Sequence, residues 1–237
     1  MYFYIAAFFF LIIGSLSALL TYKEPKLCSK LSAIFISAAS VITIVPSLQV
    51  LFYGAPLVFS LPWHVPFGEF SLQLDPLSAV FSLIISIISI TVTWYGKEYL
   101  KPWFGKKNIG IVWFFLQILI MSLFLIILAK NSLLFFVAWE IMSVTSFFLI
   151  TFEDEKPEVQ KGGLNYLIAT QLSSLFLLPL FLLSDASSFF LIPGALSILF
   201  LLSFVGFGTK AGFVPFHIWL PDAYASAPSY ISALLSS

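Results

Sequence analysis

Glu140 and Lys210 are ionisable side chains set inside apolar runs long enough to cross a membrane, and a carboxylate and an ammonium at that depth are groups for moving protons or ions. Glu140 lies within Ser132–Thr151, roughly 12 Å along a helix from the nearer end of that run at about 1.5 Å per residue, too deep for easy snorkelling. Lys210 interrupts a run from Phe189 to Leu220 whose other polar side chains are Ser197, Ser203, Thr209 and His217. A charge at such depth costs a few kcal/mol even on lenient insertion scales, so it faces a partner or a water-filled path. Paired, the two stabilise each other's charged form; separated, a lysine in low dielectric releases its proton. A pair made and broken in turn is a proton switch. His217, seven residues after Lys210, shares its helical face if the helix is continuous, and its imidazole would then extend a relay near neutral pH. A histidine held at the membrane interface beside Trp219 fits the same position equally well.

The elements that must hold these groups are membrane helices. With 60% hydrophobic residues, 9% charged residues and 28 phenylalanines, the chain has more apolar surface than a water-soluble core could hide. The expected fold is all-α and polytopic, its surface solvated by the lipid bilayer or by other membrane subunits. Zero net charge gives no sign of nucleic-acid binding. The single cysteine, Cys28, excludes an internal disulfide and a cysteine metal cluster, and reads as a small apolar residue near a helix start.

Crossing roughly 30 Å of hydrocarbon takes about 20 apolar residues. Such runs predict seven spans near Tyr2–Leu20, Leu31–Phe52, Leu77–Tyr95, Ile109–Ala129, Ser132–Phe152, Leu164–Leu183 and Ala195–Leu220. The first lacks a basic leader region and is followed by Lys23-Glu-Pro-Lys26, so it reads as a retained helix. Pro179 predicts a kink in the sixth. The seventh carries Gly206, Gly208, Gly212 and Pro215 before Pro221, which predicts a helix broken at mid-membrane, as in transporters whose discontinuous helices line a pathway.

Smaller polar groups have two readings. Gln117 on the fourth span, Ser143, Thr145 and Ser146 on the fifth, Asn165, Thr170, Gln171, Ser173 and Ser174 on the sixth and Thr209 on the seventh either hold waters of a hydrated path or bond helix to helix. There is no arginine, and nine of the eleven lysines fall in the connections after the first, third and fifth spans. The positive-inside rule then places the amino terminus outside the cell membrane and the carboxyl end in the cytoplasm. The outward connection over residues 53–75 has only short, irregular alternation for a strand or hairpin; His64 in it reads as a surface or packed histidine. Asp75-Pro76 reads as a helix start, with aspartate as cap and proline at the first helical position. Glu153–Lys161 reads as a solvated loop.

Three strings carry a family resemblance: Leu74-Asp-Pro-Leu-Ser78; Ala129-Lys-Asn-Ser-Leu-Leu-Phe-Phe-Val-Ala-Trp-Glu-Ile-Met-Ser-Val-Thr-Ser146; and Gly206-Phe-Gly-Thr-Lys-Ala-Gly-Phe-Val-Pro-Phe-His-Ile-Trp-Leu-Pro-Asp-Ala223. In this order, and covering about Leu72 to the end, they resemble the antiporter-like membrane subunits of respiratory complex I, Mrp-type sodium/proton antiporters and membrane-bound hydrogenases. The resemblance implies that Glu140 and Lys210 match the ion pair of a proton channel formed by the fifth helix and the broken seventh. It also implies about fourteen helices in two inverted five-helix repeats. Against that plan the sequence is one membrane domain, with two peripheral helices and an outer loop over residues 1–71 and an incomplete first repeat over residues 72–237. Tyr224 stands where the family usually has histidine, which puts that step of a relay in doubt.

The resemblance therefore implies an amino-terminal half of an antiporter-like fold, with a second repeat supplied by another membrane subunit and with peripheral redox subunits as indirect partners. Two functions are compatible with it. One is translocation of protons, or of sodium, within a redox-driven complex or an Mrp-type antiporter. The other is a shortened, non-conducting bridge between membrane subunits. Retention of both expensive charges favours translocation. No catalytic chemistry, cofactor or metal is expected of the chain itself, because Gly206-Phe-Gly208 lies in a span, follows no strand and lacks the spacing of a nucleotide loop. Electron transfer would belong to oxidoreductase partners.

Overall fold

A computed structural model describes residues 1–65, 68–184 and 193–236; the side chains of residues 62–69 lie outside the described set, and with them the reading of His64. Each apolar run forms a helix, but proline, glycine and capping residues set the ends. Helix α1 is Tyr2–Leu20 and α2 is Pro25–Tyr53. The second begins at Pro25 rather than Leu31, because proline's fixed φ suits a first turn and Lys26 and Lys30 point to the exterior. It ends at Gly54, whose φ of 69° is left-handed. Helix α3, Pro76–Tyr99, starts as expected: the Asp75 carboxylate accepts from the Ser78 N–H at 2.7 Å. Asn131 caps α5, Ser132–Ile150, in the same way, accepting from the Leu134 N–H at 2.7 Å. Helix α4 is Ile109–Leu128 and α6 is Pro157–Ser184; α6 starts well before its apolar run and continues through Pro179. The seventh span divides into α7, Ala195–Ala211, and α8, Trp219–Ser226, and α9, Ser229–Leu235, follows.

Among the described residues seven stretches are long and apolar enough to cross a membrane, α7 and α8 counting as one, and the chain is an all-α polytopic membrane protein. The connection before α3 holds a hairpin that sequence alternation barely signalled. Strand β1, Leu57–Val65, pairs antiparallel with β2, Gly68–Leu74, in a register that sets Leu57 opposite Leu74 and Phe59 opposite Leu72. Leu72 and Leu74 are buried, Leu72 bridges to Ala129, and the Lys130 N–H donates to the Ser71 carbonyl at 3.0 Å, which ties the hairpin to the α4–α5 connection.

Two compact units result. The first comprises Met1–Leu149 with Pro228–Ser237, and the second Ile150–Ala227. In the first, α1 packs on α2 and α4, and α2 on α3. Tyr4, Ala7, Leu11, Gly14 and Ala18, three or four residues apart, form the buried face of α1. The seam between α2 and α3 is lined by small hydroxyl side chains. Tyr4 Oη lies 2.9 Å from Ser47 Oγ and 2.5 Å from Ser82 Oγ, and Thr43 Oγ1 lies 2.9 Å from Ser86 Oγ. Small residues bring the helix backbones close, and neutral hydroxyls join them where lipid offers no hydrogen bonds. In the second unit α6 packs on both α7 and α8.

Candidate functional site

The Glu140 segment belongs to the first unit and the Lys210 segment to the second. Glu140 sits half-buried at the middle of α5, a turn before buried Ser143. Ser143 is about 60° from Glu140 around the helix axis, whereas Thr145 and Ser146 are about 140° and 120° away, so only Ser143 shares its side of the helix. The Ser143 hydroxyl donates to the Trp139 carbonyl at 2.9 Å and that of Thr145 to Ile141 at 2.7 Å, so both are turned onto their own helix. The α5 surface toward α4 is aromatic: Phe148 stacks on Phe115 with centroids 4.4 Å apart.

Gln117 lies on another surface. Its amide rests against Gly14 of α1, where a Cβ would collide with Gln117 Oε1 and come within 2.7 Å of Phe35 Cβ, and its Nε2 donates to the Trp113 carbonyl at 3.2 Å. This sets Gln117 at the contact of α1 with α4, with its Nε2 hydrogen bond made within its own helix.

The second unit contains the break. Helix α7 stops at Ala211 because Gly212 takes a φ of 73°, and the Phe213 N–H returns to the Gly208 carbonyl at 2.9 Å in a six-residue closing loop. A Cβ on Gly212 would come within 2.5 Å of Leu220 Cδ1, and one on Gly206 within 2.6 Å of Leu177 Cδ2, so glycine serves the turn at the first and close helix packing at the second. Beyond a cis Val214–Pro215 bond, residues Phe216–Ile218 form one 3-10 turn before α8. At the end of α7 the Thr209 carbonyl accepts from Trp219 Nε1–H at 2.8 Å and from the Gly212 N–H at 3.3 Å, and a turn earlier the Ser173 hydroxyl of α6 adds a bond to the Gly206 carbonyl at 2.6 Å. Buried Thr209 turns its own hydroxyl to Val205 at 2.6 Å.

Lys210 is half-buried in the last turn of α7, where the helix dipole favours a cation by about 0.3–1 kcal/mol. His217 does not share a helical face with it. The helix is interrupted between them and His217 lies exposed on the 3-10 turn, so the relay geometry of a continuous helix does not exist. One group escaped the sequence reading. Asn165 Nδ2 of α6 donates to Asp222 Oδ2 of α8 at 3.0 Å, and Asn165 also lines a groove of about 310 Å³ together with Thr209, Pro215 and Trp219. The signal was present in an acid following the break, but its partner lies 57 residues away in sequence.

Residues 129–237 match the family described as NADH:quinone oxidoreductase/Mrp antiporter, TM. The chain is 34% identical over 232 residues to hydrogenase-4 component B of Escherichia coli (strain K12), covering 94% of this chain and 34% of that protein. It is 36% identical over 195 residues to a Staphylococcus aureus (strain MRSA252) protein named as antiporter subunit mnhA2, covering 76% of this chain and 24% of that one. The fold superposes on a chain of the Mrp complex from Dietzia sp. DQ12-45-1b with a TM-score of 0.80 and 25% identity, over 99% of this chain and 26% of the other. The chain thus spans about a third of the length of the hydrogenase component and about a quarter of that of the antiporter subunit.

Proposed function

The chain belongs to the antiporter-like membrane subunit family, and from that premise we propose that it contributes a Glu140–Lys210 half-channel to proton or sodium translocation within a multisubunit membrane complex. The observation that carries this reading is Lys210 at a helix discontinuity where the Gly208 and Thr209 carbonyls already have donors. An ammonium needed only to satisfy a frayed helix end would be redundant beside Trp219, which already donates to Thr209. A lysine kept there serves by its charge, accepting a proton as an amine and losing it as an ammonium when a carboxylate such as Glu140 approaches or withdraws. On the same reading the amino terminus faces outside the cell membrane, the lysine-rich connections face the cytoplasm, and residues 72–237 form the first part of an antiporter-like repeat that functions together with a second.

The test is Lys210→Met and Glu140→Gln in the assembled complex, with ion uptake by inverted vesicles normalised to complex content. Each substitution removes a titrating group at similar volume and is expected to reduce translocation about a hundredfold, the scale of a lost proton-transfer group. Uptake at the parental rate with normal assembly would leave the non-conducting bridge as the function.

A further inference from the structure

We propose that the first turns of α2 hold the phosphate of an anionic phospholipid, with an acyl chain lying along the exposed stripe of the same helix. Helix α2 is longer than the hydrocarbon it crosses. Its 29 residues measure about 43 Å at 1.5 Å per residue against roughly 30 Å of core, and its continuous apolar part begins only at Leu31, so residues 25–30 stand at headgroup level. Aromatic rings mark the same end of the unit: Lys23 Nζ lies 5.9 Å from the centroid of the Tyr22 ring and Lys97 Nζ 4.8 Å from that of Trp94, the company of rings and ammonium groups found at a membrane–water boundary. There, Glu24, Pro25, Lys26 and Leu27 line one side of a cleft of about 520 Å³, and Phe104 and Gly105 line the other.

Leu27 joins the cleft to the stripe. It lines the cleft, and on α2 it stands within about 40° of Ile34 and Val41 around the axis, all three exposed. Together they cover about 21 Å of helix, enough to take an acyl chain through one leaflet of about 15 Å. Lys26 lines the cleft as well, and Lys30, one turn on, lies about 60° from Leu27. Both lysines are exposed, and among the described residues neither enters an ion pair, whereas Lys101 is paired with Glu98. Against Glu24, the acid of the lining, stand Lys26 and its neighbours Lys23 and Lys30, with Lys106 exposed beside Gly105 on the other wall. Ammonium groups in the first turns do nothing for the helix itself, because the dipole there disfavours a cation. They suit a phosphodiester, and the apolar track leading away from them suits the chains that a lipid carries and a free phosphate lacks.

The test places the assembled complex in phosphatidylcholine vesicles containing a trace of phosphatidylglycerol or of phosphatidylcholine with a photoreactive group on its acyl chain. Label is located by mass spectrometry and normalised to that on the whole chain. Residues 27–41 are expected to take about tenfold more label from the phosphatidylglycerol probe, the scale of two lysines near an anionic headgroup with one acid against them. Lys26→Gln with Lys30→Gln is expected to bring that excess down to the phosphatidylcholine level, and Lys26→Arg with Lys30→Arg to keep it, since the positive charge is retained. Equal labelling by the two probes overturns the proposal, as does an excess that survives the glutamine variant. Absence of label from both probes would mean that another subunit covers the stripe, and overturns it too. None of these outcomes is read from ion uptake, so the lipid site and the half-channel stand or fall separately.

Discussion

The α1–α4 bundle and the α6–α8 segment both carry neutral polar groups within their helices, but the second adds charges and interrupted backbone. In the bundle they are neutral hydroxyls and one amide, joined across helices, as Tyr4 to Ser47 and Ser82 or Thr43 to Ser86, or packed against a glycine, as Gln117 on Gly14. In the α6–α8 segment neutral groups such as Asn165, Ser173 and Thr209 are joined by an ammonium, a carboxylate and the carbonyls of an interrupted helix. Neutral hydroxyls are cheap to bury and are the ordinary adhesive between membrane helices. Charges and broken backbone are not cheap, so they persist where a site uses them. On the proposed function, the difference ties the role to the type of polar group rather than to how many there are.

The strongest way to break this comparison is to damage one glycine in each region. Gly212→Val forces a branched side chain into a left-handed conformation, at about 1–2 kcal/mol, and sets its Cβ within 2.5 Å of Leu220 Cδ1. Loss of both folded protein and uptake per assembled complex is expected, because the turn that ends α7 beside Lys210 is displaced. Gly14→Val drives a side chain into Gln117 and Phe35, an overpacking of about 1–3 kcal/mol. It should lower the amount of folded chain while leaving uptake per assembled complex at the parental level. Equal loss per complex in both would end the distinction.

Trp219→Phe is the next smaller effect. It retains a ring against Tyr166 but removes the indole donor to the Thr209 carbonyl, which keeps the Gly212 N–H at 3.3 Å, so the loss is that of one hydrogen bond, about 0.5–1.5 kcal/mol. Thermal unfolding of the purified complex in detergent should show the loss, and an unchanged midpoint would mean that water replaces the indole and that the break is already wet.

Much of this architecture was legible because membrane helices announce themselves by length: every expected span has a helix in it. Their ends were less legible. The turns carrying Pro25, Lys26 and Lys30, or Pro157 and Lys161, are polar yet helical, and apolar length stops before they do. The break was readable from its glycines and proline, but the residue that caps it was not, since Trp219 reads as an interfacial aromatic until its indole is found on Thr209. Facing directions were the hardest to read. Helices apolar all round leave no periodic stripe to show which side is inward, so nothing in the sequence told Gln117 that its neighbour is Gly14, or Asn165 that its partner is Asp222.

The smallest expected effect tests the quiet side of the comparison. Tyr4→Phe removes the hydroxyl shared by Ser47 and Ser82, but those two stay bonded to each other at 3.0 Å, and Ser47 also donates to the Thr43 carbonyl at 2.8 Å. No buried group is orphaned, so the change should approach the average of about 0.6 kcal/mol for a hydrogen bond between membrane helices. Uptake per complex should be unaltered, because a seam of hydroxyls bonded to one another and to their own helices is adhesive rather than conduit. If Tyr4→Phe slowed uptake while barely changing the unfolding midpoint, the hydroxyl seam would itself be carrying protons, and neutral polar groups in this chain could no longer be separated from charged ones by function.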